Sequence, residues 1–152
     1  MDIRIFDDAD TPEVVQLWKV CGLTRPWNDP HKDIARKRSA SPDLFWVGTD
    51  SQGQVMATLM AGYDGHRGSM NYLAVHPAHQ RQGHARQLMV HAEQALKALG
   101  CPKLNLQIRA GNEAVIAFYA SLGYTEDETV SLGKRLIPDH SDTPSNLNKK
   151  SL

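Results

Sequence analysis

The sequence predicts an α/β domain of the α+β kind: one mixed, mostly antiparallel sheet with a single parallel strand pair and flanking helices. Three observations carry that prediction. Three short strand-like runs separated by turn residues fill positions 44–75, the habit of antiparallel strands. Leu88, Ala92, Ala95, Leu96 and Leu99 step by three and four, which marks a long amphipathic helix. Strand-like runs stand on either side of that helix, at 70–75 and 104–108, and such a strand-helix-strand unit requires a parallel pair.

Each element has its own local reason. Residues 2–6 alternate as a short strand does. Asp10-Thr11-Pro12-Glu13 supplies a cap, a proline for the first turn and an early acid, ahead of Val14, Val15, Leu17 and Trp18 at helical spacing. Gly22, Pro26, Asn28 and Pro30 make a loop of residues 21–30, and the polar, basic stretch from Asp33 to Ala40 reads as a second, exposed helix. Leu44–Thr49 and Gln54–Tyr63 are strands joined by the hairpin signal Asp50-Ser51-Gln52-Gly53. A turn at Asp64–Gly68 leads into the strand Met70–Val75. The long helix begins at Ala85 and stops at Gly100, with Pro102 beyond. Leu104, Leu106 and Ile108 alternate as a strand, Val115, Phe118, Tyr119 and Leu122 trace one face of a helix ending at Gly123, and a last strand is expected near Thr129–Leu136. One domain, 1–137, accounts for these elements, and the polar, aperiodic remainder 138–152 is expected to be a disordered C-terminal tail.

Composition removes several classes of function. Lys+Arg and Asp+Glu are both 17, so the formal net charge is zero, without the basic excess of a nucleic-acid or anionic-membrane binder. Cys21 and Cys101 are too few and too far apart for a disulfide framework or a Cys-x-x-Cys site. No apolar stretch approaches the ~20 residues of a membrane span, and the first residues lack the basic and apolar regions of a signal peptide. The expectation is a cytoplasmic protein with no nucleic-acid or membrane partner.

The segment Tyr72–Ala85 carries the most chemistry: a strand, a loop and a helix start. Backbone N–H groups at a helix N-terminus have no intrahelical partner, and the helix dipole adds about half a positive charge there, so a phosphate can dock on main chain alone. Gly83 lets that backbone come close, or else simply serves a tight loop.

In this setting Gln80-x-x-Gly83-x-Ala85, after a strand ending Leu73-Ala74-Val75-x-Pro77, resembles the acetyl-CoA motif of the GNAT N-acetyltransferases. Asn112, with Phe118-Tyr119 before Leu122-Gly123-Tyr124, resembles their second cofactor motif. The strings at 25–30 and 62–68 look like the YpeA-type bacterial branch. The resemblance implies a GNAT fold whose parallel pair splays open, with pantetheine bonded to the backbone of Leu73, Ala74 and Val75. It places the pyrophosphate on the amides of Arg81, Gln82, Gly83, His84 and Ala85. It makes Asn112 a partner of the pantetheine arm and Tyr119 both a cofactor contact and the general acid for the departing thiolate. On its residues alone, Tyr119 lies on an apolar stripe and serves equally well as core.

The implied reaction is acetyl transfer from acetyl-CoA, as cosubstrate and without a metal, to a primary amine of a small molecule or amino acid by direct attack. Protein N-termini or lysines are alternative acceptors, and a non-catalytic acyl-CoA binding or sensing domain or a nucleotide or phosphate binder are alternative functions. A homodimer is an open expectation. Many family members carry a general base at the positions matching Ser69 or Gln107, and neither residue here accepts a proton. Asp64 and His66 are the nearest substitutes, although Asp64 also suits an ordinary turn cap.

The same resemblance puts the acceptor near Trp27, Asp29 and Asp64, a carboxylate and aromatic setting fit for an ammonium group. Trp27 serves equally to pin its loop. Arg25 and Arg67 could hold an acceptor carboxylate or lie solvated. His76, His79, His84 and His91 follow no metal-ligand pattern, and Arg36-Lys37-Arg38 reads as a solvated helix face.

Overall fold

The computed structural model describes residues 1–139. Five strands form one sheet in chain order: β1 (Asp2–Ile5), β2 (Phe45–Thr49), β3 (Val55–Tyr63), β4 (Gly68–Val75) and β5 (Leu104–Asn105). The first four pair antiparallel. β4 and β5 run parallel, joined only at Gly68↔Leu104 and Ser69↔Asn105. Helices α1 (Thr11–Val20) and α2 (Pro30–Ala40) precede the hairpins, α3 (His84–Ala98) makes the crossover from β4 to β5, and α4 (Glu113–Ser121) follows.

Strand alternation sends side chains to two cores. Phe45 and Val47 join Phe6, Val14, Leu17 and Trp18 beneath α1, while Trp46, Leu59 and Ala61 meet Leu88, Met89, Ala92 and Leu96 of α3 on the opposite face. Trp18 stacks on Tyr72 with ring centroids 3.8 Å apart, which fixes α1 against β4. Gly68 stands where β4, β5 and α3 converge. A Cβ there would lie 2.9 Å from Cys101 Sγ and 3.2 Å from Leu96 Cδ1, so only glycine allows the parallel pair to close.

Two expectations at the C-terminal side are overturned. β5 ends at Asn105, not Ile108, and residues 129–136 form no strand. Val130 and Leu132 are 86% and 92% exposed. Alternation over a few residues proposes a strand, but a ladder needs a backbone partner, and β5 offers little beyond Asn105. Side chains link the two segments instead: Lys103 and Asn105 reach Asp127 at 2.9 and 2.7 Å, and Gln107 donates to Ser131. Asp139 is buried against the domain through Arg36 and the Asp29 amide, and the expectation of a disordered tail beyond it lies outside the described residues. Among the described residues no helix is long and apolar enough to cross a membrane.

Candidate active site

The cofactor side begins with a defect in β4. Pairing with β3 slips between Thr58 and Met60, and Tyr72 adopts φ 53°, a left-handed conformation costly for an aromatic residue. A buried chain of hydrogen bonds holds it there: Trp18 Nε1 donates to Thr58 Oγ1 at 2.9 Å, and Thr58 Oγ1 donates to the Tyr72 carbonyl at 2.8 Å. β5 leaves β4 after Ser69, so the β5-facing edge of Leu73, Ala74 and Val75 has no ladder partner. The parallel pair is splayed.

The loop after β4 is pinned at its start and open at its end. Gln80 Nε2 donates to the Val75 carbonyl at 2.9 Å, and His76 Nδ1 accepts from the Ala78 amide at 3.1 Å. Arg81 and Gly83 then take positive φ, 62° and 81°. α3 starts without a side-chain cap, and the first backbone bond into it runs from Gln87 N to Gly83 O at 3.0 Å. The amides ahead of Gln87 therefore have no intrahelical acceptor, and no heavy atom lies within 4 Å of a Cβ built on Gly83. Chain reversal at positive φ beside a bare helix start forms a concave anion cradle.

α4 supplies the other wall. Asn112 caps α4, its Oδ1 accepting from Val115 N at 3.4 Å. Tyr119 is 7% exposed and edge-on to Tyr124 at 5.6 Å, and burial pushes its phenol up to about 12. It keeps its proton at neutral pH. A groove of about 1630 Å³ runs between β5, α4 and residues 124–131, and of the expected cofactor residues only Tyr119 lines it. That groove occupies the place where a further strand would pair with β5. The cradle and the splayed edge lie apart from it.

The acceptor-side residues fall into two groups. Trp27 sits in a tight turn closed by Asn28 N to Arg25 O at 3.1 Å and is 40% exposed. Asp29 caps α2 through His31 N at 2.9 Å. Asp64 lies instead in the β3–β4 turn, where the amides of Arg67 and His66 donate to its carboxylate, both at 2.8 Å, and hold its pKa below the usual carboxylate value. No hydrogen bond or ion pair among the described residues joins Asp64 to Trp27 or Asp29. Arg25 donates to the carbonyls of Gly22 and Thr24, and Arg67 to that of His66. Among the described residues no three metal-ligating side chains gather.

The model of the acetyltransferase (GNAT) family matches residues 11–124. The chain belongs to the GNAT family. An acetyltransferase of Yersinia pestis (strain Pestoides F) is 50% identical over 139 residues, which span 91% of this chain and 98% of the relative. Among solved structures, a putative acetyltransferase from Agrobacterium tumefaciens superposes with TM-score 0.70 at 21% identity, covering 89% of this chain and all of that one. The ribosomal-protein-S18-alanine N-acetyltransferase from Escherichia coli does so with TM-score 0.69 at 26% identity, covering 83% and 78%. This GNAT chain is an N-acetyltransferase dependent on acetyl-CoA.

Sequence reasoning passed over Thr58, Tyr72 and Asp139, and its solvated face at Arg36-Lys37-Arg38 is corrected: Arg36 pairs with Asp139 and Asp33, and Lys37 donates to the Ala61 carbonyl. Thr58 had a signal. It is the lone hydroxyl in the apolar run Val55–Ala61, and a buried hydroxyl needs a partner.

Proposed function

We propose that this GNAT enzyme acetylates a small cationic amine or amino acid by direct attack of the neutral amine on the thioester. The observation that carries this is the unpaired edge of β4 opening onto an uncapped helix start, since one ligand with an amide-bearing arm and a diphosphate satisfies both. In this reading the backbone of Leu73–Val75 orients the arm with Asn112, and the amides of Arg81–Ala85 hold the diphosphate. The amine nitrogen bonds to the carbonyl carbon, the carbon–sulfur bond breaks, Tyr119 gives its proton to the leaving thiolate, and the proton that the nitrogen sheds to water is the one that restores the Tyr119 phenol. Trp27, Asp29 and Asp64 are the acceptor contacts. A panel of spermidine, L-lysine, kanamycin and an alanine-starting peptide, read by thiol release, tests the acceptor class. Release with the peptide alone would favour a second reading, a peptide α-amine, which the Escherichia coli neighbour supports.

Asp29→Asn keeps the helix cap, because asparagine caps as well as aspartate, and removes the charge that would meet an ammonium. The acceptor KM should rise roughly tenfold while acetyl-CoA affinity holds. Equal changes in both would place the pocket elsewhere.

The pH profile addresses proton removal. An amine with pKa near ~10.4 is about one part in a thousand neutral at pH 7.4, and only that fraction attacks. Ser69 and Gln107 cannot take its proton, and Asp64 is already bonded to two amides. The enzyme therefore draws the neutral amine from solution, and kcat/KM should climb toward the amine's own pKa. Tyr119, protonated up to about 12, imposes no falling limb below that. A low-pH limb that vanishes in His66→Ala would overturn this choice.

A further inference from the structure

Asp139, well past the end of α4 at Ser121, is bound to α2 and the residue that caps it from several directions. Its Oδ1 accepts from Arg36 Nη2 at 2.6 Å, its Oδ2 accepts from the Asp29 amide at 2.7 Å, and Lys32 donates to its carbonyl. Arg135 donates to Asn28 Oδ1 at 2.6 Å. On its other side Arg36 donates to Asp33 Oδ1 at 3.2 Å, and Asp33 Oδ2 accepts from the Tyr72 hydroxyl at 2.6 Å. One network thus runs from residues 135–139 through α2 to the bulged residue of β4.

The loop at 25–30 has few other restraints. None of residues 24–33 belongs to either core, and the hydrogen bonds of Arg25 and Asn28 within the loop are local. Asp139 joins the Asp29 amide, at the loop's end, to Arg36 two turns along α2. Its side chain is 0% exposed, shielded by these partners rather than sunk in a core. The Arg36 guanidinium and then the Asp29 amide hold its pKa down at about 2, so it is charged at every working pH. A carboxylate is required at this point. Both oxygens accept, and an amide in its place would set an N–H against a donor.

We propose that Asp139 is a positioning residue for the acceptor: it fixes the loop 25–30 beside β4 and thereby sets acceptor affinity without touching acetyl-CoA. This rests on the reading that Trp27 and Asp29 contact the acceptor. It makes the segment after α4 part of the specificity apparatus. Loss of the carboxylate releases the Asp29 amide, leaves the loop held by Arg135 on Asn28 and, among the described residues, leaves Arg36 with Asp33 alone, while Thr58 and Trp18 still hold the cofactor edge.

The test uses the full chain with Asp139→Ala, Asp139→Asn and Trp27→Ala. Amide exchange at residues 28–33, acetyl-CoA calorimetry, and the acceptor KM of whichever panel amine turns over fastest are read with and without added formate. In Asp139→Ala, exchange at Asp29 should rise, and the acceptor KM should rise about tenfold to a hundredfold with acetyl-CoA affinity unmoved. Formate, a carboxylate small enough for the vacated place, should restore both in Asp139→Ala and change nothing in the wild type. Asp139→Asn should show the same shift in lesser degree, and it decides the matter alone if the alanine variant does not fold. An acceptor KM raised by Trp27→Ala but not by either Asp139 variant removes the positioning role and leaves the pocket. No change in any variant removes both. A loss shared equally by acetyl-CoA and resistant to formate assigns Asp139 to the fold and overturns the proposal.

Discussion

Tyr119→Phe should lower kcat by a factor on the order of 10² to 10⁴, the usual cost of losing a general acid, while acetyl-CoA affinity changes little. The substitution separates the proposed acid role of this side chain from its packing. Its ring packs edge-on against Phe118 at 5.0 Å and Tyr124 at 5.6 Å, contacts that phenylalanine keeps. The hydroxyl makes no hydrogen bond among the described residues, so its removal leaves no described partner unpaired. Burial has pushed its pKa up to about 12, which keeps the phenol protonated throughout the working range and so able to offer its O–H to charge developing on a departing sulfur. Kinetics and melting temperature together decide. Normal turnover with a lowered Tm would return Tyr119 to the core and leave the thiolate to protonation by water.

What the sequence made legible is what local chemistry determines. Gly100 after Leu99, Asp10-Thr11-Pro12 before Val14, and Asp50–Gly53 between two alternating runs each place an element boundary within a residue or two of the observed one. The parallel pair followed from the crossover helix alone. β5 and the segment 129–136 were misjudged because a strand is a pairwise object. Leu106 and Ile108 alternate as well as Leu104 does, yet only Leu104 and Asn105 reach β4, and Val130 and Leu132 alternate beside no free ladder. Periodicity reports which face is apolar and is silent on whether a backbone partner stands alongside.

The site divides the same way. The cradle lies within a dozen residues of sequence, so a strand end, a glycine able to take positive φ and a helix start announced it together. The bulge at Tyr72 was not legible, because its cause is the hydroxyl of Thr58 on the neighbouring strand and the indole of Trp18 on α1. Asp139 is further out of reach. It stands after Pro138 in a polar stretch that reads as tail, and its partners Arg36 and Asp29 are more than a hundred positions away. Asp64 shows the converse limit, since a carboxylate that looked available in sequence turns out to be held by the amides of its own turn.

Gly83→Asp should weaken acetyl-CoA binding by a factor on the order of 10², and Gly83→Asn much less. The pair is chosen because φ of 81° at this position penalises any side chain, and Asn and Asp are the two that tolerate it best. Sterics do not intervene, as nothing lies within 4 Å of a Cβ placed there. Both variants carry the same backbone cost and nearly the same shape, so their difference isolates charge. A carboxylate at the mouth of the cradle can cap the bare amides of α3 itself, as an N-cap aspartate does, and repels the diphosphate it displaces. That same capping should leave the Asp variant at least as stable as the Asn variant. A gain in Tm with a loss of affinity is a signature no unfolding artefact produces. Calorimetry decides the placement: equal acetyl-CoA affinities in the two variants would move the diphosphate away from residues 81–85.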